Sequence, residues 1–176
     1  MYPRNPQRNI VLCGFYRSGK SAVGREVAQL MRRPFMDMEV EVRRRMKAGL
    51  RRLLMPHTVH NSQEIERKLV SELSYKRGWI AALGSESIDN QLSITELSDF
   101  SLTVFLDPPF DVLWQRILDH NGDLSAAAAA GSTDKQAMLE TWRDMRVQYE
   151  RCDLQLTSPH ASVKQTAKFI MHCFYT

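Results

Sequence analysis

The sequence predicts an α/β fold in which a parallel sheet of about five strands carries helices on both faces. Five short apolar runs alternate with segments whose apolar residues recur at helical spacing, and this alternation is typical of parallel sheets. The 176 residues contain neither an internal repeat nor a marked break in composition. We therefore expect one domain that spans residues 1–176.

The predicted strands are short apolar runs, most of them bounded by glycine or polar residues, as buried parallel strands are. In chain order they are "IVLC" at 10–13, the run around Phe35–Asp37, "WIAALG" at 79–84, "SLTVFLD" at 101–107 and "DLQLTS" at 153–158.

The predicted helices lie between these strands. They are residues 19–31, a charged helix that follows the second strand through Arg45, residues 64–77, 110–119 (opened by a Pro-Pro pair), 134–151 and 161–174. Residues 51–63 contain Pro56 and few periodic apolar residues, which indicates a loop with partial helix.

Composition excludes several classes of protein. Three cysteines without close spacing argue against a disulfide framework or a zinc site, and they favour a reducing, cytoplasmic setting. No apolar run approaches the roughly 20 residues of a membrane span. The net charge is +4, but the cationic run at residues 42–52 has no interleaved aromatic residue. We expect neither nucleic-acid nor membrane partners, and a monomer or weak oligomer.

The segment "GFYRSGKS" fits G-x-x-x-x-G-K-[ST] at every fixed position, between a predicted strand and a predicted helix. Its glycines allow successive backbone N–H groups to point at phosphate oxygens, and the helix that follows adds its positive end. Lys20 can reach the β- and γ-phosphates, and the Ser21 hydroxyl can bind Mg²⁺. The predicted nucleotide-binding residues of this loop are Gly14, Arg17, Ser18, Gly19, Lys20, Ser21 and Ala22.

The residues after this loop resemble the opening of shikimate kinases. "SAVGR" at 21–25 is similar to the family's Ser/Thr-x-Val-Gly-Arg, and "FMDME" at 35–39 to its Phe-x-Asp-x-Asp. The resemblance is specific over residues 10–46 and covers nearly the whole chain in layout. It implies a three-layer P-loop kinase fold, ATP and Mg²⁺ as cofactors, and transfer of the γ-phosphate to a hydroxyl. In "VFLDPPFDVLWQRI", it implies that Arg116 stacks on adenine.

Asp37 and Glu39 lie two residues apart where the second strand is predicted to end, so we expect both side chains on one strand face. The resemblance implies that Asp37 orients the attacking hydroxyl as a base or holds Mg²⁺, and that Glu39 binds the acceptor's hydroxyls. The alternative for both is the acidic first turn of a helix.

The acceptor-binding motifs depart from the family. The family's Phe-Arg pair corresponds to Ile65-Glu66 or Glu66-Arg67, and its Gly-Gly-Gly to "GSE", which begins at Gly84. Its Arg-x-Pro-Leu-Tyr is "MRVQY" here, so that Arg146 is displaced by one place. The resemblance implies acceptor-binding roles for Glu39, Gly84 and Arg146. It implies the same role for Arg67 if the Phe-Arg pair corresponds to Glu66-Arg67.

The family's lid corresponds to residues 119–134, which we expect to be mobile. No Lys or Arg occurs between Arg116 and Lys135, and residues 126–130 are all alanine. A cation on the transferring phosphate is worth roughly 10³–10⁵ in rate, so its loss argues against efficient catalysis.

Two functions are therefore predicted. The first is an ATP-dependent small-molecule kinase, a transferase. Its acceptor is shikimate, if Arg67 and Arg146 take the displaced roles, or a neutral or cationic alcohol, because Glu39, Glu66 and Glu86 make the acceptor side acidic. The alternative is a degenerate relative that binds nucleotide, is catalytically weak or inactive, and acts as a regulatory or partner module.

Overall fold

The computed structural model describes residues 7–52, 61–84, 91–119, 134–157 and 162–176. Its five strands form one parallel sheet in the order β2-β3-β1-β4-β5. The strands are β1 Asn9–Gly14, β2 Phe35–Asp37, β3 Ile80–Ala82, β4 Ser101–Leu106 and β5 Leu154–Leu156. The helices are α1 Lys20–Met31, α2 Met38–Arg52, α3 Asn61–Ser74, α4 Gln91–Phe100, α5 Phe110–Asp119, α6 Lys135–Tyr149 and α7 Val163–Tyr175. The predicted α/β fold is confirmed.

Strand β1 lies at the centre of the sheet and is buried on both faces. Ile10 and Leu12 point into a cluster that includes residues of α1 and α7, whereas Val11 and Cys13 point into a cluster that includes residues of α3, α4 and α6. All four side chains are fully buried. Burial on both faces explains why this strand is a continuous apolar run in the sequence, because alternation is needed only where one face meets water.

Three details differ from the sequence-based prediction. Helix α4 was not anticipated: among its residues whose burial is described, 94–100, Ile94 and Leu97 are the buried ones, and this pattern is too short to recognise. Helix α2 extends to Arg52, beyond the predicted end at Arg45. Helix α3 spans Asn61–Ser74 rather than residues 64–77. No helix in the described part of the chain is long and apolar enough to cross a membrane.

Gly24 lies where α1 packs against β2. A Cβ atom at this position would lie 2.5 Å from the Cε2 of Phe35 and 3.1 Å from the Cδ1 of Leu12. Real Cβ contacts do not reach 2.5 Å, so the helix approaches the sheet this closely only because residue 24 has no side chain. This approach sets the position of the first turn of α1, which carries the candidate phosphate-binding residues.

Replacement of Gly24 by alanine is therefore expected to lower the free energy of unfolding by about 1–3 kcal/mol through overpacking. At an open helical position the same change would stabilise by about 1 kcal/mol. Urea unfolding of Gly24→Ala measures whether the free energy of unfolding falls or rises. Gln29→Ala, at an exposed position of the same helix, is the matched control and should change little. A Gly24→Ala protein as stable as the parent would contradict the packing account.

Candidate active site

The loop between β1 and α1 has a backbone that depends on its glycines. Gly14 has φ 148°, Gly19 has φ 98° and Arg17 has φ 58°, all in the left-handed region. A Cβ at Gly14 would also lie 2.6 Å from the carbonyl oxygen of Leu106 and 2.7 Å from the Oγ of Ser18. Glycine is required here for both conformation and space. The loop therefore forms a tight turn that ends at the N-terminus of α1.

The Ser18 hydroxyl lies inside this turn. Its Oγ is buried and has no hydrogen-bond partner among the described residues. Buried polar atoms are nearly always hydrogen-bonded, so an unsatisfied one requires an explanation. A polar ligand in the turn supplies that explanation, and a phosphate oxygen next to a helix N-terminus fits it.

Lys20 is the first residue of α1, and its side chain folds back onto the loop. Its Nζ donates hydrogen bonds to the carbonyl oxygens of Gly14 at 2.8 Å and Phe15 at 2.9 Å. The residue is only 7% exposed. Two carbonyls of the loop are thus turned toward the ammonium group, which holds the loop in shape without any ligand.

Burial lowers the pKa of Lys20 to about 8, and the interactions of Lys20 with Glu39, Cys13 and Asp37 act in the opposite direction. The ammonium form is therefore only partly populated just above neutral pH. A polyphosphate would favour the charged form and raise this pKa.

Nucleotide binding at pH 8 is accordingly expected to take up about half a proton at Lys20, because the group is half protonated when its pKa equals the pH. Titration calorimetry in buffers of different ionisation enthalpy measures this uptake. Lys20→Arg stays charged and provides the control, with no uptake expected. Equal uptake by the two proteins would show that another group is responsible.

Asp37 is the last residue of β2 and lies at the carboxyl edge of the sheet. Its side chain is 12% exposed, with Oδ2 at 3.7 Å from the Nη2 of Arg25. Its Oδ1 accepts a hydrogen bond from the backbone N–H of Val40 at 3.3 Å. Strands β2 and β1 are parallel and are separated by β3 alone, so Asp37 ends β2 at the same edge of the sheet as Gly14, where the phosphate loop begins.

Glu39 is not placed as the sequence suggested. Helix α2 begins at Met38, so Glu39 lies in its first turn and shares no strand face with Asp37. That part of the prediction is wrong, because the strand ends at Asp37, two residues before Glu39, and Glu39 instead takes the alternative place in the acidic first turn of a helix. The Glu39 side chain is 50% exposed and forms an ion pair with Arg43 at 3.0 Å, although its charge still reaches Lys20.

Ser21 and Asp37 provide oxygen donors of the kind that Mg²⁺ prefers. Ser21 is partly buried in the first turn of α1, directly after Lys20, and the neighbouring Ala22 is exposed. Among the described residues, no group of three or more His, Cys, Asp or Glu side chains could hold a metal ion. One carboxylate and one hydroxyl suit Mg²⁺, which keeps several waters and binds phosphate oxygens as well.

Arg116 connects α5 to the loop. Its Nη1 donates to the carbonyl oxygen of Arg17 at 3.1 Å, and both residues are partly buried. This contact brings the two predicted nucleotide-binding arginines together at one side of the turn.

The residues to which the resemblance gives acceptor-binding roles include residues of α3 and α6. On α3, Glu66 is partly buried and Arg67 is exposed. The Tyr149 hydroxyl on α6 is buried, which is the main cause of its raised pKa, and the Glu66 charge contributes to the same shift. Met145, one turn before Tyr149, is also buried. Glu66 is thus a partly buried carboxylate, Met145 belongs to the hydrophobic core, and Gly84 is buried just after β3.

Arg146 points elsewhere, because its Nε donates to Oδ2 of Asp107 at 2.8 Å. The same oxygen accepts a hydrogen bond from Nε2 of Gln155 at 2.8 Å. The Asp107 side chain is 3% exposed, and its Oδ1 has no partner among the described residues. Sequence reasoning missed Asp107, although a carboxylate directly after the apolar run "VFL" at a sheet edge was a usable signal.

Several predicted features lie outside the described residues. They are the lid between Asp119 and Asp134, its alanine-rich segment at 126–130, and Ser85 and Glu86 after the third strand.

Comparison with known proteins identifies the family. The family model for shikimate kinase matches residues 17–174, which is most of the chain. The chain belongs to the shikimate kinase family. A shikimate kinase of Mannheimia succiniciproducens is 26% identical over 167 residues, covering 94% of each chain. A shikimate kinase of Desulforudis audaxviator is 30% identical over 110 residues, which cover 62% of this chain and only 58% of that protein.

Solved structures of shikimate kinases have the same fold. The enzyme of Bacteroides thetaiotaomicron gives a TM-score of 0.78 at 15% identity, covering 97% of this chain and 99% of its own. The enzyme of Acinetobacter baumannii, in complex with shikimate, gives 0.74 at 21% identity, with 95% and 92% covered. A gluconokinase of Sinorhizobium meliloti gives 0.63 at 17% identity, covering 98% and 95%. Members of the shikimate kinase family are small-molecule kinases, and these neighbours share their architecture.

Proposed function

We propose that the chain is an ATP-dependent phosphotransferase that moves the γ-phosphate to a hydroxyl of a small molecule. The observation that carries this proposal is the arrangement at the N-terminus of α1. There the buried Lys20 ammonium holds the loop, and the unsatisfied Ser18 hydroxyl lies within it. Asp37 ends β2 at the same edge of the sheet, and its charge favours the ammonium form of Lys20.

Each group has a chemical task in such a transfer. The loop N–H groups and Ser18 bind phosphate oxygens, and Lys20 offsets charge on the β- and γ-phosphates. Asp37 accepts the proton of the attacking hydroxyl. Ser21 and Asp37 would hold Mg²⁺, which neutralises phosphate charge when bound. Arg17 and Arg116 lie beside the nucleotide, and Glu39 and Gly84 border the acceptor.

The acceptor is proposed to be a neutral or cationic alcohol rather than an anion. Glu66 occupies the inward position of α3 while Arg67 faces solvent. Met145 occupies the inward position of α6 while Asp107 holds Arg146. An acceptor carboxylate next to Glu66 would be desolvated against a like charge with no cation to offset it. Shikimate, the substrate that the family resemblance implies, carries such a carboxylate.

The test is acceptor-stimulated ADP release in the presence of ATP and Mg²⁺. The acceptor panel contains shikimate, neutral polyols and amino-alcohols, each at the same concentration. We expect stimulation by a member of the neutral or amino-alcohol groups and weak stimulation by shikimate. Strong stimulation by shikimate alone would overturn the choice of acceptor while it supported the transfer itself.

A double variant that adds positive charge at the proposed acceptor site tests the acceptor assignment independently. Glu66→Arg combined with Met145→Arg would place two guanidinium groups at the inward positions, where they can bind a carboxylate. At about 1.5–3 kcal/mol for a charged hydrogen bond, kcat/KM for shikimate is expected to rise at least about tenfold. Arg67→Ala, at an exposed position of α3, is the control and should leave this value nearly unchanged. No gain from the double variant would mean that these positions do not face the acceptor.

A further inference from the structure

Two thiols meet directly behind the phosphate loop. Cys13 is fully buried in β1 and is the residue immediately before Gly14. Cys152 is partly buried in the connection between α6 and β5 and packs against the same core cluster. Although they lie far apart in the sequence, the two side chains belong to or pack against one core cluster, and Cys152 is the main cause of the raised pKa of the Cys13 thiol. The thiols of Cys13, Cys152 and Cys173 are all free in this structure.

Rigid neighbours hold this contact in place. Cys13 lies opposite Phe105 in the β1–β4 register. The Phe105 ring packs against the Tyr149 ring, with centroids 5.2 Å apart. The backbone N–H of Cys152 donates to the carbonyl oxygen of Tyr149 at 3.0 Å. A central strand, a buried aromatic pair and a backbone hydrogen bond therefore fix both cysteines relative to each other.

We propose that Cys13 and Cys152 form a reversible disulfide whose formation weakens nucleotide binding at the phosphate loop. Neither thiol has a role in the proposed phosphoryl transfer. A disulfide requires the two sulfurs to approach to about 2.05 Å, which is closer than any non-bonded contact. Because Cys13 is adjacent to Gly14, this approach moves the backbone at the point where the loop begins.

The oxidant is a low-molecular-weight disulfide such as oxidised glutathione. Cys152, the more accessible thiol, attacks it as the thiolate, so that the glutathione S–S bond breaks and one glutathione thiolate leaves and takes up a proton. The Cys13 thiolate then attacks the Cys152 sulfur of this mixed disulfide and releases the second glutathione. Two protein thiols are oxidised by two electrons, and one glutathione disulfide is reduced to two thiols.

The order of these steps follows from the surroundings of the two thiols. The contact with Cys152 and burial raise the pKa of the Cys13 thiol well above its ordinary value. Cys13 therefore reacts slowly with oxidants in solution and is protected until Cys152 has reacted. Cys173 lies on α7, in another part of the fold, and is not a member of the pair.

The loop has little freedom to absorb a shift at Cys13. A side chain at Gly14 would already meet the carbonyl oxygen of Leu106 at 2.6 Å, and Lys20 is bound to the carbonyl oxygens of Gly14 and Phe15. We expect the oxidised protein to bind ATP about fivefold more weakly or worse, which is the lower end of typical coupling between sites. By linkage, saturating ATP must shift the thiol–disulfide equilibrium toward the dithiol by the same factor.

The site is tested by equilibrating the full chain with defined ratios of reduced and oxidised glutathione. Remaining thiols are then alkylated and the peptides are mapped by mass. The expected result is a Cys13–Cys152 cross-linked peptide with Cys173 outside it. The cross-link should persist in Cys173→Ser, the matched control, and disappear in Cys152→Ser. Accumulation of a Cys152–glutathione mixed disulfide with Cys13 still reduced, or alkylation of both thiols at every ratio, would overturn the proposal.

The coupling is tested by the dissociation constant of ATP with Mg²⁺ for the reduced and oxidised proteins. Cys152→Ser should give one value at every glutathione ratio. Equal values for the two forms of the parent chain would overturn the coupling. The coupling between the disulfide and ATP binding rests on the proposed function, and failure of the coupling can be distinguished from failure of the proposed function. If the reduced protein binds no ATP, the proposed function fails, whereas peptide mapping still decides whether the disulfide exists.

Discussion

Replacement of Lys20 by methionine is expected to reduce acceptor-stimulated turnover by about a thousandfold, the upper range for loss of one group that stabilises transition-state charge. The reason is that Lys20 has two tasks. Its ammonium holds the carbonyl oxygens of Gly14 and Phe15, and it is the buried cation nearest the expected position of the γ-phosphate. ATP affinity should fall as well. Initial rates of ADP release and the dissociation constant of ATP measure the two effects.

A folding defect would not explain this loss. Burial lowers the pKa of Lys20 to about 8, so the folded state disfavours the ammonium form that an unfolded chain would carry at neutral pH. Methionine has a similar length and no charge. Removal of the buried charge offsets the loss of the two hydrogen bonds to Gly14 and Phe15, so the variant should unfold at a urea concentration near that of the parent. A Lys20→Met protein that folds normally and keeps a tenth of the turnover would contradict the role assigned to Lys20.

The second large effect is expected from Asp37→Asn, which should lower kcat by about 10²–10⁴, the usual contribution of a general base. The amide oxygen can still accept the hydrogen bond from the Val40 N–H, so the start of α2 should be preserved. ATP affinity in the absence of Mg²⁺ is expected to change little. Pre-steady-state and steady-state rates of ADP release distinguish a slower chemical step from slower product release.

Glu39 provides the contrast to Asp37. Its side chain is half exposed and paired with Arg43, so Glu39→Gln should alter the KM of the acceptor more than kcat. Glu64→Gln, at an exposed ion pair with Lys68 on α3, is the control for loss of a surface carboxylate. If Glu39→Gln lowered kcat as much as Asp37→Asn, the base would have to be reassigned.

The parts of the fold that local sequence determines were predicted well. β1 is buried on both faces and reads as an unbroken apolar run, and the loop needs glycine at two positions of positive φ. The alternation of apolar runs with helical segments in the sequence correctly predicted five parallel strands. Helix α4 escaped prediction because, among residues 94–100, whose burial is described, Ile94 and Leu97 alone are buried. The formation of α4 depends on tertiary packing, which cannot be recognised from so short a pattern of apolar residues.

The site was only half predictable for a related reason. The candidate phosphate side is one continuous segment, so its residue types and spacing were sufficient to predict it. The proposed acceptor side combines residues of α3, α6 and the ends of β3 and β4, and a shift of the alignment by one residue changes which side chain is assigned to it. The sequence left open whether Glu66 or Arg67 takes the inward position, and the structure places Glu66 partly buried and Arg67 in solvent. The contact of Arg146 with Asp107 joins residues far apart in the chain.

The most direct test of the central claim is transfer of labelled γ-phosphate from ATP to an alcohol. The parent chain, Lys20→Met and Asp37→Asn are incubated with labelled ATP, Mg²⁺ and each acceptor, and the products are separated and counted. The account predicts a labelled phosphate monoester of a neutral or amino-alcohol, formed one-to-one with ADP by the parent and nearly absent with both variants. Tight binding of ATP by the parent, with no label in any alcohol including shikimate, would contradict it and would favour a nucleotide-binding module without transferase activity.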